Sequence, residues 1–112
     1  MNVPLLNRKL VLEEARRQGD GAGGSRLNWV ALGEVWAEIR SGTGREGPGE
    51  FVTVSTVPYR ITVRASAHGS ASRPKPEQRF RDGARVFRIH AVTEAEGRAR
   101  YLVCHASEEV RT

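Results

Sequence analysis

Four side chains in this sequence could do acid–base, nucleophilic or metal chemistry: His68, His90, His105 and Cys104. His68 lies in a segment rich in serine and proline, whereas the other two histidines lie in neighbouring strand-like segments. None belongs to a His-Glu-x-x-His, Cys-x-x-Cys or carboxylate arrangement with the spacing of a metal site. Cys104 has no histidine base in a recognisable motif, so we expect a small buried hydrophobe. The sequence therefore predicts no catalytic or metal site, no cofactor and no enzymatic activity.

Three glycines, Gly19, Gly21 and Gly24, have the spacing of the Gly-x-Gly-x-x-Gly dinucleotide fingerprint. That fingerprint requires a strand before it and a helix after it, because the helix amino terminus holds the pyrophosphate. Residues 26–40, which follow these glycines, are rich in Trp, Val and Ile and alternate in polarity over their second half, as strands do. We therefore interpret Gln18–Ser25 as a flexible connection and reject a nucleotide site.

The net charge of +5 lies entirely in the second half of the chain. Residues 1–57 hold seven Lys/Arg and seven Asp/Glu, whereas residues 58–112 hold eleven and six. The densest cationic stretch contains Arg73, Lys75, Arg79, Arg81, Arg85 and Arg88. A basic stretch attracts polyanions or acidic partners, although a solvated arginine-rich loop and strand face is the simpler interpretation.

Aromatic residues near this stretch raise the hypothesis that the chain is a small barrel that binds nucleic acid directly. Phe80, between Arg79 and Arg81, is placed to stack on a base, yet packing at a strand start is its simpler role. Trp29 and Trp36 lie on strand-like segments. We expect both in the core or at a subunit interface, because indole rings bury a large area.

The first half of the chain predicts two strands and two glycine-rich connections. Leu5–Glu14 alternates imperfectly and favours a half-buried strand, although its spacing also fits a short helix. Arg26–Arg40 predicts a long strand, in which Gly33 predicts a bulge or bend. Ser41–Glu50 contains four glycines and a proline, which predicts a long loop.

The second half contains the clearest alternation. In Tyr59–Ala65 the apolar residues, among them Ile61 and Val63, face one way and the arginines face the other. Before it, Phe51–Val57 predicts a strand or a short ordered piece that Pro58 ends or kinks. After it, Ser66–Gln78 predicts a second long loop.

A hairpin is predicted at Asp82-Gly83, a dipeptide typical of tight turns between strands. In the strand that follows, Phe87, Ile89 and Ala91 are expected on one face. The remaining predictions are a turn at Glu94–Gly97, a strand at Tyr101–His105 and a frayed polar tail at Ser107–Thr112.

Together these elements predict one domain, residues 1–112, of mainly β class. It would be a small antiparallel β-barrel or sandwich of five to six strands with long glycine-rich loops. Its predicted core or subunit interface contains Trp29, Trp36, Ile61, Val63, Phe87 and Ile89. The single cysteine cannot form an internal disulfide, and no run of 18 apolar residues predicts a membrane helix. We therefore expect a soluble cytoplasmic product with no membrane partner.

Several segments also occur in a distinctive order. They are Trp29, Val35–Ile39, Ser41–Glu46, Tyr59–Arg64, Arg79-Phe80, Gly83–Ile89, Tyr101–Cys104 and Glu108-Glu109. This order resembles the phage head–tail joining family of adaptors and stoppers, above all its versions in gene transfer agents, which are domesticated phage particles. The resemblance covers about Leu6 to Glu109. Phe51–Val57 departs from it, since many relatives are more helical and richer in Ala and Gln there.

The resemblance implies a structural role at the neck of a tailed phage or gene transfer agent particle. Members of the family are small β-barrels that form a closed ring, with six- or twelve-fold symmetry implied, between the portal or its adaptor and the tail terminator or tail. The ring retains packaged double-stranded DNA and lets it pass on delivery. This chain would accordingly be made in the bacterial cytoplasm and would end in the particle.

Two loops are candidates for the channel or for partner contacts. One contains Arg45 and Glu46, and the other, with its basic flank, contains Arg73, Lys75, Arg79 and Arg81. A heterologous ring needs two different complementary faces, and long loops can reach neighbours or the lumen. The sequence leaves open which loop lines the channel.

Overall fold

The computed structural model describes residues 3–42, 56–67, 69–95 and 98–109. Within these ranges the chain forms six strands and no helix. The strands are β1 (Arg8–Gly19), β2 (Ser25–Ser41), β3 (Thr56–Arg64), β4 (Arg79–Asp82), β5 (Arg85–Ala95) and β6 (Arg98–Glu109). The predicted mainly antiparallel β class with five to six strands is therefore confirmed.

The six strands form one antiparallel sheet that closes on itself in the order β1-β2-β3-β6-β5-β4. Closure depends on a short contact between β1 and β4, in which Leu12 lies opposite Phe80. A closed sheet leaves no exposed edge around its circumference. Of the two predicted alternatives, barrel and sandwich, the sheet thus takes the closed form.

The interior of the closed sheet is filled by one hydrophobic cluster. Its fully buried members include Leu10, Leu12, Ala37, Ile61, Val63, Phe80, Phe87, Ile89, Leu102 and Cys104. These residues follow the period of two that makes alternate side chains share a face. Phe80 therefore packs in the interior and does not stack on a base.

Two irregularities shift the alternation. The register between β1 and β2 slips next to Gly33, whose φ of 150° favours glycine, so the predicted bulge lies where it was expected. A second slip leaves His90 as an extra residue in β5, between Ile89 and Ala91. The prediction that Ala91 shares the face of Ile89 was wrong, because this bulge turns Ala91 outward and exposes it.

The two central hairpins differ in length. At the β4–β5 turn, Asp82 pairs with Arg85, and Gly83 has a φ of 62° as the first of the two turn residues, so the predicted tight hairpin is confirmed. The β1–β2 hairpin is much longer. Beyond Glu13, β1 pairs only with β2, so residues 14–19 and 25–30 extend from the closed sheet as a two-stranded hairpin arm.

Several strand bounds differ from the prediction. β1 begins at Arg8 and continues to Gly19, because its outer half pairs with β2. β3 runs through Pro58, which lies opposite Ser107, so the proline does not end the strand. The predicted frayed tail is wrong for residues 107–109, which belong to β6. The predicted turn at Glu94–Gly97 is wrong for Glu94 and Ala95, which belong to β5. Residues 96–97 and most of Phe51–Val57 lie outside the described residues.

Candidate functional site

A carboxylate on β1 holds two arginines of β4. Glu13 accepts hydrogen bonds from Arg79 Nε to Oε1 and from Arg81 Nε to Oε2, each at 2.7 Å. The pairing of Glu13 with Arg79 and of Val11 with Arg81 places these side chains on one outer face of the closed sheet. The Glu13 side chain is only 6% exposed, against 12% for Arg79 and 40% for Arg81. The three side chains thus form a partly buried charged cluster.

The ionisation of Glu13 reflects two opposing effects. Burial by itself would raise the pKa of this carboxyl group. The hydrogen bonds and charges of Arg81 and Arg79 outweigh the burial and hold the pKa of Glu13 below its ordinary value. The cluster is therefore ionised at neutral pH, and its two arginines are engaged within the protein.

The indole ring of Trp29 lies across this cluster at the base of the hairpin arm. The guanidinium carbon of Arg79 is 4.1 Å from the Trp29 ring centroid, and that of Arg88 is 5.5 Å away. Arg88 also donates a hydrogen bond to Glu77 at 2.8 Å. Cation–π contacts at such distances stabilise, more so when the groups are partly desolvated. Trp29 is half-buried and connects the arm to the closed sheet.

The candidate partner-facing residues therefore divide into three groups. Arg79 and Arg81 lie side by side but are held by Glu13. In the 66–78 loop, Arg73 donates a hydrogen bond to the Ser66 carbonyl oxygen at 2.7 Å, and the Lys75 residue is exposed. The other two candidates, Arg45 and Glu46, lie outside the described residues.

A second ion pair joins the ends of β5 and β6. Arg85 donates hydrogen bonds to both carboxylate oxygens of Glu108, at 2.8 and 3.1 Å. The hydrogen bond from Arg85 lowers the pKa of Glu108. The guanidinium of Arg85 also lies 4.9 Å from the ring of Phe87, which meets Tyr59 edge to face at 5.2 Å. This pair closes one end of the hydrophobic core.

Trp36 is the largest exposed apolar side chain among the described residues, with 54% of its surface accessible. It lies beside a shallow cleft of about 600 Å³ whose lining also includes Leu6, Val35 and Arg64. Leu5, 69% exposed, adds further apolar surface near the amino terminus. The core alternative for Trp36 is thus wrong, which leaves the interface alternative as a proposal. Ile61, Val63, Phe87 and Ile89 are fully buried core residues of the chain itself.

The cysteine and histidine side chains that could do acid–base, nucleophilic or metal chemistry do not come together in one site. Cys104 is fully buried, and burial raises the pKa of its thiol to about 12. The side chains of His90 and Ser107 are hydrogen-bonded at 2.7 Å, and those of His105 and Thr93 at 3.3 Å. Within the described ranges, no group of three His, Cys, Asp or Glu side chains could hold a metal ion. His68 lies outside those ranges.

A row of basic residues crosses strands β2, β3 and β6 on the outside of the closed sheet, away from the Glu13 cluster on β1 and β4. Arg40 of β2 lies opposite Arg60 of β3, which in turn lies opposite His105 of β6. Sequence reasoning missed this row, since the three residues are far apart along the chain. The alternation of Arg60 and Arg64 with buried neighbours indicated their outward direction but not their partners.

Comparison with known proteins identifies the family. The family profile described as "Phage head completion protein" matches residues 1–109, nearly the whole chain. The chain belongs to the phage head completion protein family. This is a family of structural proteins of phage particles, in agreement with the predicted resemblance to head–tail joining proteins.

Two solved structures share the fold of this head completion protein. One is a chain of the structure described as "Virion of native gene transfer agent (GTA) particle", with 60% sequence identity and a TM-score of 0.79. The match covers 98% of this chain and 100% of that chain. The other is the solution structure of protein SF1141 from Shigella flexneri 2a, with 18% identity, a TM-score of 0.71 and full coverage of both chains, which shows likeness of fold alone. The search of curated proteins gave no match.

The surfaces of this head completion protein are those of a binding and assembly module. Some of its charged side chains tie strands together, as in the Glu13 cluster, and others form a cross-strand row on the outer face. Of its two tryptophans, Trp29 braces the hairpin arm and Trp36 stands exposed beside a cleft. No helix in the part of the chain that the structure describes could span a membrane.

Proposed function

We propose that the chain is a structural joining subunit of the neck of a tailed phage or gene transfer agent particle, of the stopper type. The observation that carries this proposal is the 60% identity, over 98% of the chain, to a component of a gene transfer agent particle. In this role, copies of the chain form a closed ring between the portal or adaptor and the tail. The ring retains packaged double-stranded DNA and releases it on delivery.

Two surfaces support assembly into a ring. A head-to-tail ring needs two different complementary faces on each subunit. The hairpin arm is one such surface, because a two-stranded ribbon that pairs with nothing else is marginally stable in water and gains from a partner. The cleft beside Trp36 is the other, since an exposed tryptophan ring is typical of the residues that anchor interfaces. We assign both surfaces to contacts between subunits or with adjoining rings.

The 41–50 and 66–78 loops remain the candidates for the channel or for the adjoining rings. Lys75 is the best-placed cation of the second loop, because its residue is exposed, whereas Arg79 and Arg81 are committed to Glu13. We therefore assign Arg79 and Arg81 a structural role first, and Arg73 and Lys75 the partner contacts.

The experiment that tests the neck function is an affinity pull-down of carboxy-terminally tagged protein from its native host, with mass spectrometry of the partners. Recovery of portal, adaptor and tail proteins would support the proposal. Recovery of nucleic acid and host factors without any particle protein would overturn it in favour of a barrel that binds nucleic acid directly.

A matched pair of variants sharpens this test. Trp36→Ala removes the exposed indole ring beside the cleft and should reduce the recovery of particle proteins at least tenfold. Glu94→Gln changes an exposed residue near the end of β5 and should leave the recovery unchanged. Equal recovery with both variants would remove the cleft from the proposed interface while leaving the neck function to stand on the partners themselves.

A further inference from the structure

The basic row on β2, β3 and β6 places two guanidinium groups side by side. Arg40 and Arg60 are direct cross-strand neighbours, and His105 continues the row on the next strand. Strands lie about 4.8 Å apart, so the row is roughly 10 Å wide. Like charges directly opposite one another destabilise a sheet. The row is therefore an arrangement that an external anion would stabilise.

The Arg79–Arg88 pair shows how the same fold neutralises such a contact internally. These two arginines are also direct cross-strand neighbours. Here Glu13 contacts Arg79 at 2.7 Å and Glu77 contacts Arg88 at 2.8 Å. The Trp29 ring lies within 5.5 Å of both guanidinium groups.

The basic row has much less compensation. Glu38 contacts Arg40 at 3.2 Å, and the Arg40 side chain is still 65% exposed. Among the described residues, no carboxylate lies within ion-pair distance of Arg60 or Arg64. The row therefore carries a net positive charge that the described part of the chain does not neutralise.

The rest of this outer face continues the same chemistry. Arg64 lies four residues beyond Arg60, about 13 Å along the strand, and its guanidinium lies 5.9 Å from the ring of Tyr101. Between the two arginines lies Thr62, and Thr93 adds a second hydroxyl group next to His105. The face thus presents guanidinium, imidazole and hydroxyl groups, and its one described carboxylate, that of Glu38 opposite Thr62, is engaged with Arg40.

We infer that the outer face of β3 and β6, with Arg40, Arg60, Arg64, Thr62 and His105, is a docking surface for the phosphate backbone of double-stranded DNA. Arginine and threonine side chains are common donors to phosphate oxygens. A sheet face with no protruding helix or ribbon contacts the backbone and reads no base sequence.

This inference deepens the proposed function, because DNA that passes a particle neck must be bound without regard to its sequence. The proposed DNA-binding face is a different surface from the 66–78 loop and basic flank that the sequence predicted. The loop flank uses Arg79 and Arg81 within the protein, whereas the face on β3 and β6 presents its arginines to solvent.

The test is a titration of the full chain, labelled with ¹⁵N, with a duplex of about 12 base pairs at low ionic strength, followed by NMR. Binding by one subunit is expected to be weak, and chemical shifts detect weak binding residue by residue. The variant Arg60→Gln/Arg64→Gln removes two cations from the face. The control Arg17→Gln/Arg26→Gln removes two exposed cations from the hairpin arm and gives the same net charge of +3, two units below +5.

The inference requires that shifts concentrate on β3, β6 and the end of β2, and that the face variant binds about tenfold more weakly than the control. The logarithm of the association constant decreases linearly with the logarithm of the salt concentration. This dependence should be less steep in the face variant, with a slope less negative by about 2. Shifts on the arm or the 66–78 loop, equal weakening by both variants, or no binding would overturn it. If polyglutamate of the same charge binds as tightly as the duplex, the partner of this face is an acidic protein surface and not DNA.

The outcome is separable from that of the pull-down. Particle proteins recovered by a chain whose face does not bind DNA would remove this inference alone. A face that binds DNA, in a chain that recovers no particle protein, would remove the neck function and leave the docking surface in place.

Discussion

The guanidinium group of Arg79 stacks on the indole ring of Trp29, with 4.1 Å between the guanidinium carbon and the ring centroid. This contact connects the hairpin arm to β4, and the same guanidinium donates a hydrogen bond to Glu13. One arginine therefore joins the strand that closes the sheet to the ribbon that extends from it.

Removal of the Trp29 ring should loosen the arm. We expect Trp29→Ala to lower the free energy of unfolding by roughly 2 kcal/mol, because it removes a half-buried ring and two cation–π contacts. Denaturant unfolding measures the loss, and amide hydrogen exchange of residues 14–19 measures the loosening. Trp36→Ala is the control and should stay within about 0.5 kcal/mol of the parent, since Trp36 is exposed. Equal losses in the two variants would contradict a bracing role for Trp29.

Glu13 should make the stability depend on pH. Its pKa is lowered in the folded state, so its contribution is fully present above the unfolded value of about 4.3. That contribution is lost as the pH falls through the folded pKa. We expect Glu13→Gln to cost roughly 2 kcal/mol at pH 7, because it weakens two charge-assisted hydrogen bonds.

The difference between the parent and Glu13→Gln should shrink as the pH falls below the unfolded value of about 4.3 and through the lowered folded-state pKa of Glu13. Chemical unfolding at a series of pH values measures this convergence. Glu94→Gln, at an exposed position, should show no such trend. A constant difference across the whole range would show that Glu13 acts through packing and not through its charge.

The bulge in β2 should depend on the backbone of Gly33. Residues that have a Cβ atom rarely adopt its backbone φ of 150°. The surrounding space is open, since a Cβ added at Gly33 would meet no atom within 4 Å. We expect Gly33→Ala to cost about 1–3 kcal/mol through backbone strain alone. Gly19→Ala also has open space, without the positive φ, and should change the unfolding free energy by less than about 0.5 kcal/mol. A neutral Gly33→Ala variant would contradict this account of the bulge.

Cys104 should be almost inert in the folded protein. Its pKa of about 12 leaves little thiolate at pH 8, and the side chain is fully buried. We expect its alkylation to be about three orders of magnitude slower in the native protein than in denaturant. Labelling with iodoacetamide and mass spectrometry gives both rates. Fast labelling of the native protein would indicate frequent opening of the core around β6.

Much of the fold could be predicted from local signals. The alternation around Ile61 and Val63 predicted β3, and Asp82-Gly83 predicted the β4–β5 hairpin. Gly33 predicted the β2 bulge. These predictions succeeded because side-chain alternation and turn chemistry act between residues that are near in sequence.

The candidate site could be predicted only in part. The basic stretch was visible, but its neutralisation was not, since Glu13 lies 66 residues from Arg79 along the chain. The bulge at His90 left no glycine or proline signal, so the turn of Ala91 to the surface was missed. The row of Arg40, Arg60 and His105 required the pairing of three strands.

The sequence by itself determined the β class, the inward residues of β3 and the tight hairpin, because these depend on neighbouring residues. The family followed from the order of whole segments. Only the tertiary structure decided which arginines are held inside the protein and which face outward. That decision depends on strand register, which brings charges from distant parts of the chain to within 3 Å of one another, as in Glu13 and Arg79.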